Sequence, residues 1–500
     1  MTKTRNARHH HARPVRKVRN SDLTRRTFLG TTAGALTAAS FARAEEPARP
    51  EYSGYLNQMS FQAGDVLTLH VSTDVARFDV AIDRVGVERK EVWSQSGVHG
   101  RKHATPDDAS AHGCRWPVTL EIKIPVDWPS GYYELRTTPD SWFVNEKGKP
   151  QGLLIYFVVR AAESHRPAKM LFQLSTNTIA AYNNWGGHSL YAYNSRNQEQ
   201  NRRVSFHRPP QGFITQRWEL PFIRWAETNG FQLDYAVNND LETVPGLLDR
   251  YPLMLSVGHD EYWSAPMRDV VEAYAARGGN VAFFSGNVCC WQVRREASPS
   301  ADELVCYKEF FRDDPTYRAD GPNPTLSTIW SHHLIGRPEN KLTGVGLLGG
   351  GFHLSHGQYM DGSGAFTTHR PEHWALAGTN LKPGDPFGGA QSVVGYECDG
   401  CEFETRDGLP FATGRDGTPK NFEILATAPA KWGNESTLLF YDRWPKDQHG
   451  AACLGLYTTP GNGTVFTVGT TDWSHGLRTP ADPVVDRITK NVLNRLSSAT

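Results

Sequence analysis

The sequence lacks a net charge, and after residue 26 it also lacks a dense basic tract. Its 53 lysine and arginine residues are balanced by 53 aspartate and glutamate residues over 500 positions. Because nucleic-acid-binding surfaces are clusters of basic residues, we expect no nucleic-acid partner. The chain shows no internal repeat and no low-complexity tract. It is too long for one ordinary hydrophobic core, so we expect two or more domains.

Long hydrophobic runs are also missing. An apolar stretch near the start, residues 30–41, is too short to span a bilayer. It follows Arg25 and Arg26 and precedes Ala42-Arg43-Ala44, an order that resembles a twin-arginine export signal with its cleavage site. We therefore expect residues 1–44 to be a signal peptide, and the mature protein to be periplasmic with no membrane association. Proteins on this route are exported folded, often with a cofactor in place, which favours a metal site.

Cysteine is scarce, with 7 residues in the whole chain. An odd number leaves at least one cysteine unpaired within a monomer. Cys398 and Cys401 form a lone CxxC motif. A zinc ribbon needs two such pairs, so this motif is more typical of a small local disulfide or of two reduced thiols.

From residue 45 to 162, apolar and polar residues alternate with a period of two. The alternation is clear at residues 67–71, 78–82 and 118–124, and Gly, Pro and Asp punctuate the gaps. Such a pattern predicts strands with one buried face. We therefore predict an antiparallel β-sandwich of immunoglobulin-like size in this part of the chain.

A strand–helix–strand unit at residues 253–287 is the clearest pattern in the sequence. Apolar runs at 253–257 and 280–284 predict two buried strands. Between them, Ser264 can cap a helix, Pro266 fits its first turn, and Gly278 can end it. A crossover of this length makes a parallel pair of strands. The apolar face of the helix consists of Met267, Val270, Val271, Tyr274 and Ala275.

Similar strand and helix patterns occur at residues 170–174, 217–236 and 464–496. For residues 163–500 we therefore predict an α/β domain with a mostly parallel sheet and helices on both faces. Residues 288–460 contain short β-like runs, many Gly, His and Trp residues, and no long helix. We interpret them as a loop-rich insertion in the same domain.

Polar residues follow both strands of the central unit. The first strand leads into Gly258-His259-Asp260-Glu261, and the second leads into Ser285-Gly286-Asn287. Open α/β sheets bind ligands at this edge. The turn holds neither a Cys nor a Ser nucleophile at its apex, which disfavours a covalent acyl-enzyme. An imidazole and carboxylates suit a metal or acid–base chemistry. Alternatively, His259 and Glu261 only cap the helix and satisfy loop amides.

Three segments of the chain resemble one known family. They are Gly258-His-Asp-Glu-Tyr-Trp-Ser264, Ser175-Thr-Asn-Thr178 with Tyr182-Asn183, and Gly469-Thr-Thr-Asp-Trp473. These segments resemble motifs of the large (beta) subunit of N,N-dimethylformamidase and its relatives, and the resemblance covers roughly residues 55–500. It implies an amidotransferase-like (flavodoxin-like) α/β domain beside a β-sandwich.

The resemblance also implies a mononuclear iron(III) centre held by two tyrosinates and one glutamate. By motif, Glu261 is the carboxylate ligand and Tyr182 is one phenolate ligand. The second phenolate is expected from the sandwich, at Tyr133, with the adjoining Tyr132 as the alternative. Such a centre would lie at the junction of the two domains, a usual place for a site.

The implied activity is hydrolysis of a small amide at its C–N bond. A water molecule activated by the metal would attack the amide carbonyl, and Glu397 or His259 would serve as base. The polar residues implied around the metal are His259 and Asn287, by motif, and Glu397 and Lys308, by approximate spacing. No small-subunit segment is recognisable, so the oligomeric state and a small partner subunit stay open.

Other interpretations are also open. The same pocket could belong to a non-catalytic periplasmic binding or carbohydrate-recognition protein, which aromatic loops and a β-sandwich would suit. A hydrolase could instead hold zinc or calcium through His259, Asp260 and Glu261, although three consecutive residues face one ion only in a sharply bent loop. The aromatic residues around Tyr191 and Tyr193 could reshape the pocket and change the substrate.

Overall fold

The computed structural model describes residues 52–137, 153–210, 215–298, 301–354, 362–432 and 449–498. The predicted signal peptide lies outside the described residues. The described residues belong to a single compact unit. No helix in the described part of the chain is long and apolar enough to cross a membrane.

Two sheets at the start of this unit share one apolar core. Their strands are β1 (Tyr52–Leu56), β2 (Ser60–Phe61), β3 (Val66–Thr73), β4 (Arg77–Val85), β5 (Arg89–His99), β6 (Leu120–Lys123), β7 (Gly131–Thr137) and β8 (Leu154–Val159). The sheet orders are β1-β3-β6 and β2-β8-β7-β4-β5. Leu67 and Leu69 of β3 lie in the same buried cluster as Val80 and Ile82 of β4. The strands predicted from the alternation at residues 67–71 and 78–82 are therefore present, with alternate side chains buried between the sheets.

The rest of the chain contributes seventeen strands in the described residues. They are β9 (Met170–Leu174), β10 (Arg203–Ser205), β11 (Leu233–Val237), β12 (Leu253–His259), β13 (Tyr262–Ser264), β14 (Asn280–Gly286), β15 (Trp291–Ser298), β16 (Ala301–Val305), β17 (Gly346–Gly351), β18 (Phe366–Thr368), β19 (Pro386–Phe387), β20 (Cys398–Gly400), β21 (Phe403–Arg406), β22 (Leu409–Ala412), β23 (Glu423–Lys431), β24 (His449–Thr458) and β25 (Thr464–Thr467).

The α-helices of the described residues are short and few by comparison with the strands. They are α1 (Ala109–His112), α2 (Thr176–Tyr182), α3 (Leu220–Thr228), α4 (Asn238–Thr243), α5 (Ala265–Ala276), α6 (Asn340–Thr343) and α7 (Pro483–Leu496).

Nine strands form the central sheet, in the order β11-β9-β12-β14-β25-β24-β23-β18-β19. The first five strands in this order are parallel to one another. The other four continue the sheet with antiparallel pairings. Smaller sheets, β10-β16-β15-β13, β17-β20 and β21-β22, lie outside it.

The predicted fold class is wrong. We expected an amidotransferase-like (flavodoxin-like), mostly parallel sheet with helices on both faces, but the structure is mostly β, with mixed and antiparallel sheets and 21% helix. The error arose in the segment that we interpreted as a loop-rich insertion. Its short β-like runs include β18, β19, β23 and β24, which are strands of the central sheet itself.

The predicted strand–helix–strand unit is confirmed. Strands β12 and β14 pair in parallel, with His259 opposite Gly286. Helix α5 begins after Ser264, whose side chain accepts a hydrogen bond from the Met267 amide. Most of the predicted apolar face of α5 is buried in one cluster with Met254 of β12, whereas Val270 is 36% exposed.

None of the seven cysteines forms a disulfide in the described chain, and all seven are buried. Cys398 packs in the cluster that includes α7, whereas Cys401 packs in the cluster that includes α5. The CxxC motif is therefore two thiols in different parts of the core.

Candidate functional site

The end of β12 and the turn into β13 carry His259 and Glu261, and this stretch requires a glycine. Gly258 has a backbone φ of +85°, which favours glycine. A Cβ atom at this position would lie 2.5 Å from the Cβ of Trp218. The turn therefore depends on a residue without a side chain immediately before His259.

Helix α2 holds this turn from the other side. The hydroxyl of Thr178 accepts a hydrogen bond from the Glu261 amide at 3.0 Å. The side-chain amide of Asn177 donates to the carbonyl of Tyr262 at 3.0 Å. The Ser-Thr-Asn-Thr segment, which carries part of the family resemblance, thus fixes the backbone on which the Glu261 side chain is mounted.

Three buried ligand atoms converge at this turn. Nε2 of His259 lies 2.5 Å from Oε1 of Glu261 and 2.7 Å from Oε2 of Glu397. Neither Nε2 of His259 nor Oε2 of Glu397 makes a contact with hydrogen-bond geometry. Two carboxylates and an imidazole therefore meet without a well-formed hydrogen bond at Nε2 of His259, which makes the cluster a candidate cation site.

The electrostatics of the metal-free cluster follow from burial and mutual proximity. Burial opposes the charged imidazole, but the carboxylates of Glu261 and Glu397 outweigh it and raise the pKa of His259 to about 10. Burial raises the pKa of Glu397. Burial acts in the same direction on Glu261, but the neighbouring His259 outweighs it and lowers the Glu261 pKa. The metal-free site therefore retains a positive charge on His259 at neutral pH.

Two tyrosine hydroxyls bind the two oxygens of one carboxylate. The Tyr182 hydroxyl donates to Oε1 of Glu261 at 2.7 Å, and the Tyr191 hydroxyl donates to Oε2 at 2.9 Å. The Tyr262 hydroxyl donates in turn to that of Tyr191 at 2.7 Å. Burial, together with the Glu261 carboxylate, raises the pKa of Tyr182 and Tyr191 well above the usual range of tyrosine. Both residues are therefore neutral phenols in the metal-free chain.

Asn287 and Lys308 border this group. Asn287 lies beside the Glu397 carboxylate, where it opposes the rise in pKa that burial causes. The ammonium of Lys308 donates to the Leu190 carbonyl at 3.3 Å and lies 3.2 Å from the centre of the Tyr191 ring. Asn287 and Lys308 have positive φ angles, 54° and 53°. Backbone strain of this kind is common at functional sites.

The Gly-Thr-Thr-Asp-Trp segment also reaches the site. Asp472 accepts hydrogen bonds from the Trp218 indole at 2.5 Å and from the Tyr396 amide at 2.9 Å. The rings of Trp218 and Tyr396 lie 5.5 Å and 5.9 Å from the His259 ring. Asp472 therefore anchors two of the aromatic residues that flank the imidazole, and Tyr182 is a third, at 5.7 Å.

Six of the seven predicted site residues lie together, and one does not. The six are His259, Glu261, Asn287, Lys308, Glu397 and Tyr182. Tyr133 instead donates from its hydroxyl to the Pro129 carbonyl at 2.7 Å and stacks on Trp128 and Phe157 in the sandwich core. The structure contradicts Tyr133 as a ligand, because strand alternation points it between the two sheets. Tyr132 lies on the opposite face of β7 and donates to Glu134, so it is not at the site either.

Sequence reasoning missed the role of Tyr191, which it treated only as an aromatic residue able to reshape the pocket. No motif marks Tyr191, and its one signal was its place in the polar, aromatic loop after Tyr182. The alternative set of three consecutive ligands also fails, because Asp260 turns away and accepts from Asn238 and Ser256. Helix capping is likewise not the role of Glu261, since the cap of α5 is Ser264.

The chain is similar to N,N-dimethylformamidase beta subunits. Residues 79–487 match the family model described as N,N-dimethylformamidase beta subunit-like, C-terminal. The N,N-dimethylformamidase beta subunit of Alcaligenes sp is 25% identical over 388 residues, 67% of this chain and 45% of that protein. The Paracoccus aminophilus beta subunit is 26% identical over 220 residues, 36% of this chain and 28% of that protein.

This chain therefore spans less than half the length of both relatives. Among solved structures, a ThuA-like protein from Parabacteroides merdae is 11% identical, with coverage of 66% of this chain and 90% of that one. Its TM-score is 0.26. Because the family match extends from within β4 into α7, the protein belongs to the N,N-dimethylformamidase beta subunit-like, C-terminal family.

Proposed function

We propose that this protein hydrolyses the C–N bond of an amide, with an iron(III) ion held by Tyr182, Tyr191 and Glu261. The observation that carries the proposal is the placement of two phenols on the two oxygens of one buried carboxylate. The name of the relatives, N,N-dimethylformamidase beta subunit, supports an amide as the substrate.

The residues present fit such an ion. Hard, anionic oxygen donors favour Fe(III) over softer ions. Glu261 supplies a carboxylate that is 1% exposed, and Tyr182 and Tyr191 supply phenols. Both phenols would lose their protons on binding the ion. The close contacts of His259 with Glu261 and Glu397, which lack hydrogen-bond geometry, also suit a cation at this point. Tyr191 takes the role that we expected from Tyr133.

When bound, the iron would act as a Lewis acid that polarises the amide carbonyl and lowers the pKa of water. Glu397 is placed to accept a proton from the attacking water, since burial raises its pKa toward the range of a general base. His259, whose Nε2 lies 2.7 Å from Oε2 of Glu397, is placed to pass a proton to the departing amine. The carbonyl carbon gains a hydroxyl group, the C–N bond breaks, and the amine leaves with the proton.

The surrounding residues set the geometry of these groups. Asn287 lies beside the Glu397 carboxylate and stabilises its charged form, against the effect of burial. Lys308 places a cation near the anionic Glu261, which opposes the effect of burial on the lysine pKa. The rings of Trp218 and Tyr396 restrict rotation of the His259 imidazole and limit its contact with water.

The first test is the metal content and visible spectrum of the purified protein. We expect about one iron per chain and a broad tyrosinate-to-iron(III) charge-transfer band. The substitutions Tyr182→Phe and Tyr191→Phe should each weaken and shift this band, whereas the matched control Tyr133→Phe should leave it unchanged. A screen of small amides should then show hydrolysis that depends on Glu397.

Two outcomes would count against this proposal. One zinc per chain in place of iron would still allow hydrolysis, but it would contradict the assignment of Tyr182 and Tyr191 as ligands. Colourless protein without metal, even after reconstitution with iron, would favour the non-catalytic binding or carbohydrate-recognition interpretation.

We also propose that residues 1–44 direct export to the periplasm by the twin-arginine route. The support is the order of Arg25 and Arg26, the apolar stretch and the Ala-Arg-Ala site. A reporter fused to these residues should reach the periplasm, and replacement of both arginines by lysine should retain it in the cytoplasm. The name beta subunit also supports a partner subunit, which copurification of the natively expressed protein would test.

A further inference from the structure

Arg208 is a buried cation behind the loop that carries the two phenols. Its side chain is 1% exposed. Its guanidinium donates to main-chain carbonyls at 2.8–3.2 Å, those of Ala180, Trp185, His188 and Ser205. The first of these residues belongs to α2, the next two lie between Tyr182 and Tyr191, and the last ends β10. One side chain therefore links helix, loop and strand.

This arrangement is costly, which argues for a specific purpose. Burial lowers the pKa of Arg208 to about 9. All its hydrogen-bond partners among the described residues are neutral carbonyls, and none is a carboxylate. An unpaired buried charge is expensive unless several strong hydrogen bonds offset it. The rigid, planar fork of arginine is suited to holding several carbonyls in one arrangement.

The loop that Arg208 holds determines the distance between the phenols. The Leu190 amide donates to the Ala181 carbonyl at 3.0 Å, and the Asn194 side chain donates to the Tyr182 carbonyl at 3.0 Å. The loop thus closes back on the end of α2, and the rings of Tyr182 and Tyr191 lie 4.3 Å apart. Hydrogen bonds and metal–oxygen bonds tolerate only small errors in position, so the loop must be held firmly.

We propose that Arg208 is a positioning residue that fixes the spacing of the Tyr182 and Tyr191 phenols on Glu261. Its consequence for iron rests on the proposed function, whereas its effect on the loop does not. Arg208 touches no reacting group. It acts by holding four main-chain carbonyls, of which one precedes Tyr182, two lie between Tyr182 and Tyr191, and one follows Tyr191.

The test compares two buried arginines by hydrogen–deuterium exchange of the metal-free chain. Arg208→Lys keeps the charge but loses the fork, and Arg208→Gln removes the charge as well. The matched control is Arg268→Lys, because Arg268 is equally buried and donates to the carbonyls of Arg337 and Pro338. We expect the Arg208 variants to raise exchange about tenfold or more over residues 180–195. The control should raise it only near residues 331–342.

The second readout is the charge-transfer band of the iron-loaded proteins. Both Arg208 variants should shift or weaken the band, and Arg268→Lys should leave it unchanged even if it lowers the unfolding temperature by a similar amount. If the wild-type protein binds no iron but the Arg208 variants still exchange faster over residues 180–195, the positioning role is supported and only the iron proposal is overturned.

Unchanged exchange over residues 180–195 together with an unchanged band would overturn the inference. If neither Arg208 variant folds while Arg268→Lys folds, Arg208 is a general requirement of the fold, and its specific role is likewise overturned.

Discussion

Among the described residues, the buried carboxyl group of Glu219 has no cationic partner, and this predicts an unusual dependence of stability on pH. The residue is 0% exposed and immediately precedes α3. Its Oε1 accepts a hydrogen bond from the amide of Ser175 at 2.7 Å, just before α2. Burial raises the pKa of Glu219 to about 7. A glutamine at this position keeps the acceptor for Ser175 and has no proton to lose.

The size and sign of the effect follow from these values. The unfolded chain loses the Glu219 proton near 4.5, whereas the folded chain keeps it to about 7. Between these values the folded state binds more protons, so this group makes stability fall as the pH rises through that window. The full effect over this window is about 3.5 kcal/mol, at ~1.4 kcal/mol per pH unit. From about pH 5 to about pH 8.5, Glu219→Gln should therefore gain about 2.5 kcal/mol relative to the wild type.

The assay is urea denaturation of the metal-free proteins at these two pH values, followed by tryptophan fluorescence. Glu404→Gln is the control, because Glu404 is solvent-exposed and its salt bridges with Arg406 and Arg415 lower its pKa. The control should gain no stability at the higher pH. An equal difference between Glu219→Gln and wild type at both pH values would refute the reasoning, since it would mean that Glu219 ionises normally in the folded chain.

Two further predictions concern the local structure around the site and the end of the chain. Gly258→Ala should lower the free energy of unfolding by about 2 kcal/mol or more, because the added Cβ would collide with Trp218 and the φ of this residue is unfavourable for alanine. Gly384→Ala is the control, since Gly384 also has a positive φ but faces open space. In the same thermal unfolding assay it should lose less stability than Gly258→Ala. Asp482→Ala should cost about 1 kcal/mol, because the Asp482 side chain caps α7 by accepting two main-chain amides, and equal unfolding midpoints for variant and wild type would contradict this.

Local patterns in the sequence predicted local structure well. The β12–α5–β14 unit follows from two apolar runs, a serine cap and a helical apolar stripe, each of which acts within a few residues. The turn after β12 follows from the same unit, so His259 and Glu261 could be placed at one sheet edge before their partners were known. Motif resemblance added Tyr182, whose hydroxyl does reach Glu261.

The class of the central sheet could not be predicted in this way. Strands β23 and β24 pair with each other and join the parallel strands through β25. The pattern of a strand shows which side chains are buried, but it does not show which distant strand it pairs with or in which direction. Runs that were correctly seen as β-like were therefore assigned to an insertion rather than to the sheet.

The same distinction, between local patterns and contacts of distant residues, applies to the site. The sequence by itself determined the turn of His259 and Glu261 and the residue types available to it, because these depend on neighbours along the chain. Only the tertiary structure decided which phenols reach Glu261: it buried Tyr133 between the sandwich sheets and brought Tyr191 back along a loop held by Arg208. The physical reason is that a buried carboxylate takes its partners from whatever packs against it, and packing is set by contacts between residues far apart in the chain.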